Sequence, residues 1–160
     1  MKRIVVIGSP GSGKSTLSGV LQQKTGIPLC HLDMMYWNAD KTVVERDVFL
    51  ARLAAVLERD TWILDGNYAT TMEMRVAACD SVILLDYPCE VCLEGIQKRR
   101  GKPRSDMPWI EREEDVALTD FVRTFREQQR PRILALLEKY PEKKIFVFTT
   151  REQANAFLRE

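Results

Sequence analysis

The hydrophobic positions of the chain form five short runs rich in Val, Ile and Leu, separated by longer amphipathic stretches. A short run that is apolar at every position predicts a strand buried on both faces, as in a parallel sheet. We therefore expect strands at residues 4–7, 28–32, 61–64, 81–85 and 145–148.

The amphipathic stretches between these runs predict helices. A helix that begins near Gly13 is expected to end at Gly26, where glycine permits the left-handed conformation of a helix end. Thr42 and Glu45 form a capping-box pattern, which predicts a helix from Thr42 to about Arg59. Further helices are expected over residues 90–100, over residues 113–139 with a break at Pro131, and after a cap at Thr150.

Alternating strands and helices predict an α/β fold, a five-stranded parallel sheet with helices on both faces. Ligands of such sheets bind at the carboxyl ends of the strands. The residues that directly follow strands should therefore share one rim, and they are Gly8, Asp33, Asp65 and Asp86. The length of 160 residues fits a single domain over residues 1–160, with no linker or repeat.

Charge and cysteine content exclude several classes of protein. With 24 Lys and Arg against 23 Asp and Glu, the net charge of +1 gives no bulk field for DNA or a membrane surface. No apolar run reaches the roughly 20 residues that span a bilayer, so no membrane partner is expected. The four cysteines lack the spacing of a disulfide framework, which favours a reduced, cytoplasmic location.

Residues 8–15 match the phosphate-binding pattern G-x-x-x-x-G-K-[ST], between a predicted strand and a predicted helix. Such a loop directs main-chain N–H groups and a helix N-terminus at the phosphates of a nucleotide. Lys14 should reach the β- and γ-phosphates of ATP, and the Ser15 hydroxyl should bind Mg²⁺. The cofactor-binding candidates are Gly8, Ser9, Pro10, Gly11, Ser12, Gly13, Lys14, Ser15 and Thr16.

Two acids at the predicted rim complete the candidate chemistry. Asp65 is the candidate carboxylate for magnesium, and an Asx turn with Gly66 is the alternative. Asp33 is the candidate that orients or deprotonates an acceptor hydroxyl, and a turn or helix cap is the alternative. His31 is interpreted as a packing residue and Asp86 as structural.

Basic residues cluster at two further places. Five of the seven residues from Lys98 to Arg104 are basic, which predicts a short lid, about residues 99–112, whose arginines neutralise the transferred phosphoryl group. A solvated turn or a DNA contact is the alternative. Arg123, Arg126 and Arg130 lie on one helical face and either join the lid or pair with surface acids. The catalytic candidates are Lys14, Asp33, Arg99, Arg100, Arg104, Arg123 and Arg126.

Several blocks of the sequence resemble the adenylate-kinase-like branch of P-loop proteins, and within it the DNA topology modulation (FlaR-like) group. They are residues 7–16, His31 to Asp33 with Tyr36 and Trp37, residues 62–68, residues 85–88 and residues 104–107. The resemblance implies the strand order 2-3-1-4-5 and a short lid. It also implies that Asp65 holds the magnesium shell and that Arg99, Arg100 and Arg123 or Arg126 bind phosphates. The acceptor-side insertion, about residues 33–60, is short for an AMP-binding subdomain.

The sequence thus favours a kinase that uses ATP and Mg²⁺ to phosphorylate a small acceptor, such as a nucleotide or nucleoside. A nucleotide-dependent ATPase that contacts DNA is the alternative. The identity of the acceptor, the preference for ATP or GTP, a monomeric or homodimeric state, and the roles of Tyr36, Trp37 and Trp109 stay open.

Overall fold

A five-stranded, all-parallel sheet in the order β2-β3-β1-β4-β5 forms the centre of the protein. The computed structural model describes residues 1–160. The strands are β1 (Arg3–Gly8), β2 (Leu29–His31), β3 (Trp62–Asp65), β4 (Ser81–Leu85) and β5 (Lys144–Phe148). The predicted fold class and strand order are confirmed.

Eight helices cover the two faces of this sheet. They are α1 (Lys14–Thr25), α2 (Leu32–Tyr36), α3 (Arg46–Leu57), α4 (Ala69–Ala78), α5 (Cys89–Arg99), α6 (Val116–Gln128), α7 (Arg130–Glu138) and α8 (Arg151–Arg159). None of them is long and apolar enough to cross a membrane.

The central strand β1 shows why the sheet is covered twice. Val5 and Ile7 point into one hydrophobic core, which α3, α4 and α7 complete. Ile4 and Val6 point into a second core, to which α1, α5 and α8 contribute. All four side chains are fully buried. Because alternate side chains of β1 are buried on opposite faces of the sheet, the strand is held between two cores. The loop that follows Gly8 therefore starts from a rigid position.

The predicted capping box at Thr42 is wrong. Helix α3 begins at Arg46, and Glu45 is its cap residue. Thr42 instead belongs to a turn in which its main-chain N–H donates to the carboxylate of Asp40 at 3.0 Å. Side chains such as Asp and Thr compete with helix formation through local bonds of this kind. The turn folds residues 37–43 back on themselves, with an antiparallel bridge between Trp37 and Val43.

The helical region before β5 is divided as Pro131 predicts, but it begins later than predicted. Helix α6 ends at Gln128, and Pro131 lies in the first turn of α7, where the missing N–H has no helical partner to lose. The α6 helix begins at Val116 rather than residue 113 because the Asp115 carboxylate accepts from the N–H of Leu118 at 3.1 Å. Helices α2 and α4 were not predicted.

Candidate active site

The loop between β1 and α1, called the phosphate loop (residues 8–15), has the geometry of an anion cradle. Gly11 and Gly13 have positive φ angles of 81° and 94°, which only glycine adopts without strain. The main-chain N–H groups of Gly13, Lys14, Ser15 and Thr16 have no hydrogen-bond acceptor in the protein. They lie at the N-terminus of α1, where the helix dipole also favours negative charge. The loop therefore suits a polyphosphate.

The charge at this loop comes from Lys14. Its ammonium group donates to the main-chain oxygen of Ser9 at 3.2 Å. Burial lowers the pKa of Lys14, and the nearby carboxylates of Asp65 and Asp33 oppose that effect. The negative charge of a phosphate bound at the loop would favour the charged form of Lys14 and so offset the hydration that burial removes.

An arginine of the last helix contacts the main chain of the loop. The guanidinium of Arg151 donates to the main-chain oxygen of Ser12 at 3.0 Å and to that of Gly11 at 3.4 Å. It also lies 5.3 Å from the ring centroid of Tyr87, a cation–π contact. Sequence reasoning missed Arg151, because it is far from the loop along the chain. These bonds give the two carbonyl groups of the loop a cationic partner.

One large cavity of about 1190 Å³ joins this loop to the lid segment (residues 99–112) and to the acceptor-side insertion (residues 33–60). The lining includes most of the residues predicted for the site, whereas Gly8, Ser9 and Ser12 of the loop are buried and do not line the cavity. The predicted site residues in the lining are Pro10, Gly11, Gly13, Lys14, Ser15, Thr16, Asp33, Asp65, Arg99 and Arg104.

Asp65 ends β3 inside this cavity and is paired with a residue of the neighbouring strand. The Nδ1 atom of His31 lies 2.7 Å from Oδ2 of Asp65, and the parallel register places the two residues opposite each other. Burial alone would lower the pKa of His31, but the hydrogen bond and the negative charge of Asp65 outweigh it, so the pKa is raised. His31 thus has a polar partner in the site and is more than the packing residue that the sequence predicts.

Asp33 lies in the first turn of α2, where the phenol of Tyr68 donates to its Oδ1 atom. Burial raises the pKa of Asp33, while the Tyr68 bond and the charge of Lys14 act in the opposite direction. The pKa of Tyr68 is raised by burial and by the charge of Asp33, so its proton stays on the phenol. The carboxylate is thereby oriented, with its other oxygen free to face the cavity.

A buried arginine holds the segment that carries Tyr68. Arg75 of α4 is 0% exposed, and no carboxylate pairs with it. Its guanidinium donates to the main-chain oxygens of Gly66 (3.0 Å), Asn67 and Tyr68 (3.2 Å). Tyr68 has a φ angle of 29°, which is unfavourable for a residue with a Cβ atom. Arg75 thus fixes a strained segment, and nothing in the sequence pattern singled it out.

Two arginines of the lid segment, Arg99 and Arg104, are paired with acids. Arg104 donates through Nε to Oδ1 of Asp106 at 2.8 Å and through Nη2 to Oδ2 at 2.6 Å. Glu111 pairs with Arg104 and also with Arg99, whose Nε lies 3.1 Å from Oε1. Burial would raise the pKa of Asp106, but the bonds from Arg104 and Ser15 hold it well below its usual range. Asp106 and Glu111 are site residues that sequence reasoning missed.

Three predicted catalytic arginines do not line the cavity, and these are Arg100, Arg123 and Arg126. Arg126 instead lies 3.5 Å from the Asp86 carboxylate, to which Arg130 donates at 2.9 Å. Arg123 is exposed on the same side of α6. The opposite side of the helix, with Phe121 and Phe125, lines the cavity. Helical spacing correctly predicted that Arg123 and Arg126 share one face of α6, but this face points away from the cavity.

Aromatic side chains line the acceptor side of the cavity. Tyr36 packs edge-on against Phe49 and lies 4.7 Å from the ring of Tyr68, so it belongs to the packing of the insertion. Trp37 and Trp109 contact each other edge-to-face at 5.9 Å and both line the cavity. Besides Lys14 and Arg151, which bind main-chain oxygens, two further cations of the lining have no carboxylate partner. They are Lys41, 5.0 Å from the Trp109 ring, and Arg132 of α7.

The loop after β1 and the strand order together define a P-loop nucleotide-binding fold, the fold of the P-loop kinases. A shikimate kinase from Bacteroides thetaiotaomicron superposes with a TM-score of 0.65 at 18% identity, covering 99% of this chain and 94% of that chain. A shikimate kinase from Acinetobacter baumannii, solved in complex with shikimate, superposes with a TM-score of 0.63 at 18% identity, covering 99% and 92%. No protein-family model and no curated protein matches the chain.

Proposed function

We propose that the protein is an ATP-dependent phosphotransferase that moves the γ-phosphoryl group of ATP to a hydroxyl group of a small acceptor. One observation carries the proposal: the phosphate loop and the oriented carboxylate of Asp33 open into the same cavity. Phosphoryl transfer needs a site for the phosphate donor and a carboxylate that activates the acceptor hydroxyl, and both lie in one cavity here. The shared fold with two shikimate kinases supports the same class of reaction.

On the donor side, main-chain N–H groups and Lys14 bind the phosphates of ATP. The site also suits magnesium, since the Ser15 hydroxyl and the Asp65 carboxylate are the hard oxygen ligands that Mg²⁺ prefers. Bound magnesium supplies positive charge to the β- and γ-phosphates. Arg99 and Arg104, which line the cavity from the lid segment, add charge where it develops during transfer.

On the acceptor side, Asp33 accepts the proton of the attacking hydroxyl group. The acceptor oxygen forms a bond to the γ-phosphorus, the bond between the γ-phosphorus and the bridging oxygen breaks, and ADP leaves. Tyr68 holds the carboxylate in place through its phenol. Because burial raises the pKa of Asp33, its carboxylate is a stronger base than an exposed one.

The lining of the acceptor side favours a flat or apolar body with a negative group. Trp37 and Trp109 offer aromatic surface, and Lys41 and Arg132 offer unpaired positive charge. Nucleoside monophosphates combine these features with a ribose hydroxyl. Hydroxylated ring carboxylates do so as well, and they form the second class of acceptor to assay.

A direct assay tests this proposal. Formation of ADP is measured with Mg²⁺ and ATP against nucleoside monophosphates, nucleosides, sugars and hydroxylated carboxylates. We expect acceptor-dependent ADP formation with at least one class, and Asp33→Asn should abolish it. Asp120→Asn, an exposed acid on α6, is the matched control and should retain full activity. Asp33→Asn with wild-type turnover would contradict the role of Asp33 as base.

A DNA-contacting ATPase of the topology modulation group is the second candidate. The structure supports it less than the sequence does, because three of the five basic residues between Lys98 and Arg104 are paired with acids. Lys98 pairs with Glu94 at 3.0 Å, and Arg99 and Arg104 pair within the lid segment. Electrophoretic mobility shifts at two ionic strengths test it, since phosphate contacts weaken steeply with salt. Binding at low salt that salt abolishes would favour this candidate.

A further inference from the structure

The lid segment contacts the phosphate loop through one hydrogen bond between side chains. The Ser15 hydroxyl donates to Oδ2 of Asp106 at 2.7 Å, and the two residues are 91 positions apart. Asp106 is only 7% exposed, and Arg104 holds both of its oxygens. The carboxylate is therefore fixed at this position by an arginine that belongs to the same segment.

Ser15 is the residue whose hydroxyl is expected to bind magnesium. A hydroxyl oxygen can offer a lone pair to a metal while its proton donates to a carboxylate. Magnesium in nucleotide sites is held by one or two carboxylates together with phosphates and water. A carboxylate in contact with Ser15 therefore has the position of a magnesium-site residue.

Asp65 was the carboxylate assigned to that position, but it makes no hydrogen bond to Ser15. Its Oδ2 atom is bound to Nδ1 of His31 at 2.7 Å. Asp106 is thus the acid that contacts Ser15 directly, and it comes from the lid segment rather than from a strand of the sheet.

We propose that Asp106 belongs to the magnesium site, so that the metal site is complete only when the lid segment contacts the phosphate loop. The inference rests on the proposed Mg²⁺–ATP function and adds one residue and one coupling to it. Arg104 connects Asp106 to Glu111, which also pairs with Arg99. The contact between Asp106 and Ser15 therefore also positions Arg99 and Arg104 beside the phosphate loop.

The test measures binding of ATP rather than turnover. The dissociation constant of ATP is determined by calorimetry in EDTA and at increasing Mg²⁺ concentrations. For Asp106→Asn we expect the Mg²⁺ concentration at half-effect to rise about tenfold or more, since groups that support metal ligands contribute 10- to 100-fold to affinity. The dissociation constant in EDTA should stay within about twofold of wild type. Glu114→Gln, an exposed acid beyond the lid segment, is the control and should change neither value.

Three further variants separate a metal role from a loss of folding. Ser15→Ala should raise the Mg²⁺ requirement as well, and adding Asp106→Asn to it should have little further effect if the two act as a unit. Asp106→Glu, which keeps the charge, should recover part of the Mg²⁺ dependence. Thermal melting of each variant shows whether it is folded.

The outcomes are distinguishable. If wild-type protein binds no ATP with or without Mg²⁺, the proposed function fails. If wild-type protein binds Mg²⁺–ATP and Asp106→Asn shows the same Mg²⁺ dependence, only this inference fails. Tighter binding of ATP by Asp106→Asn at every Mg²⁺ concentration would also overturn it, because Asp106 would then compete with the nucleotide.

Discussion

A Cβ atom on Gly95 would overlap the main-chain oxygen of Gly11, so helix α5 and the phosphate loop touch backbone to backbone. The contact is reciprocal, because a Cβ atom on Gly11 would overlap the main-chain oxygen of Cys92. A helix packed this closely against the loop limits how far the loop can move. The rigidity of the phosphate loop therefore depends on a glycine outside the phosphate-binding motif.

Gly95→Ala should destabilise the protein and weaken ATP binding. The added methyl group has no space, and overpacking of this kind costs about 1–3 kcal/mol in the free energy of unfolding. Gly19→Ala is the matched control, since Gly19 lies within α1 with open space around it and should gain up to about 1 kcal/mol. Urea denaturation measures both values. Equal effects of the two substitutions would contradict the close contact.

Lys14→Met should remove phosphoryl transfer without unfolding the protein. Loss of one group that stabilises transition-state charge lowers kcat by about 100-fold or more. The melting temperature should not fall, because burial opposes the charged form of Lys14 and the apolar replacement removes that cost. Lys144→Met, at an exposed position of β5, should leave kcat unchanged. Substantial transfer by Lys14→Met would contradict the assignment of the loop.

Tyr68→Phe should move the acid limb of the pH profile of kcat/KM to higher pH. Asp33 must be ionised to accept a proton, and the hydrogen bond from Tyr68 lowers its pKa. Loss of that bond leaves burial less opposed, so the pKa of Asp33 rises and activity is lost at a higher pH than in wild type. Tyr140→Phe, which removes a hydroxyl bonded to Glu73 at 3.2 Å, should leave the limb in place. A limb that moves to lower pH would count against Asp33 as the base.

Arg132 and Arg123 test which face of the arginine-rich helices meets the acceptor. Arg132 lines the cavity without a carboxylate partner, whereas Arg123 does not line it. Arg132→Met should raise the KM of an anionic acceptor about tenfold with little change in kcat, the behaviour expected when uniform binding is lost. Arg123→Met should leave both constants unchanged. The opposite result would restore the assignment made from helical spacing.

Arg75→Met should destabilise the protein strongly. The three main-chain oxygens that Arg75 binds would lose their donor, and each buried group without a partner costs about 1–3 kcal/mol. Arg46→Met, at an exposed position of α3, should change the free energy of unfolding by about 0.5 kcal/mol or less. Chemical denaturation compares the two. If Tyr68→Phe still shifts the pH profile of kcat/KM when Arg75 is replaced by Met, Arg75 does not orient the segment that carries Tyr68.

The phosphate loop was predictable because its signals are local. Glycines, Lys14 and Ser15 lie within one short pattern, and the strand before it and the helix after it are visible as hydrophobic periods. Asp33 and Asp65 followed from the rule that parallel strands end at one rim, and both line the cavity.

The contacts that join distant segments were not predictable in this way. The direction of the α6 arginines depends on Phe121 and Phe125, whose packing toward the cavity turns the basic face outward. Asp106 meets Ser15 only through the path of the lid segment, which has no periodic pattern to read. Arg75 contradicts the rule that buried positions are apolar, because its partners are main-chain oxygens and not acids.

The two hydrogen bonds from Arg151 to the phosphate loop have a consequence for synthesis of the chain. Ser12 leaves the ribosome 139 residues before the arginine that supports its carbonyl group. At about 5–20 residues per second, translation of that interval takes roughly 7–28 s. Throughout that time the nascent chain carries a phosphate-binding sequence without its α8 support. We therefore expect the growing polypeptide to bind nucleotide only once the final helix has been synthesised, and not when the motif first leaves the ribosome.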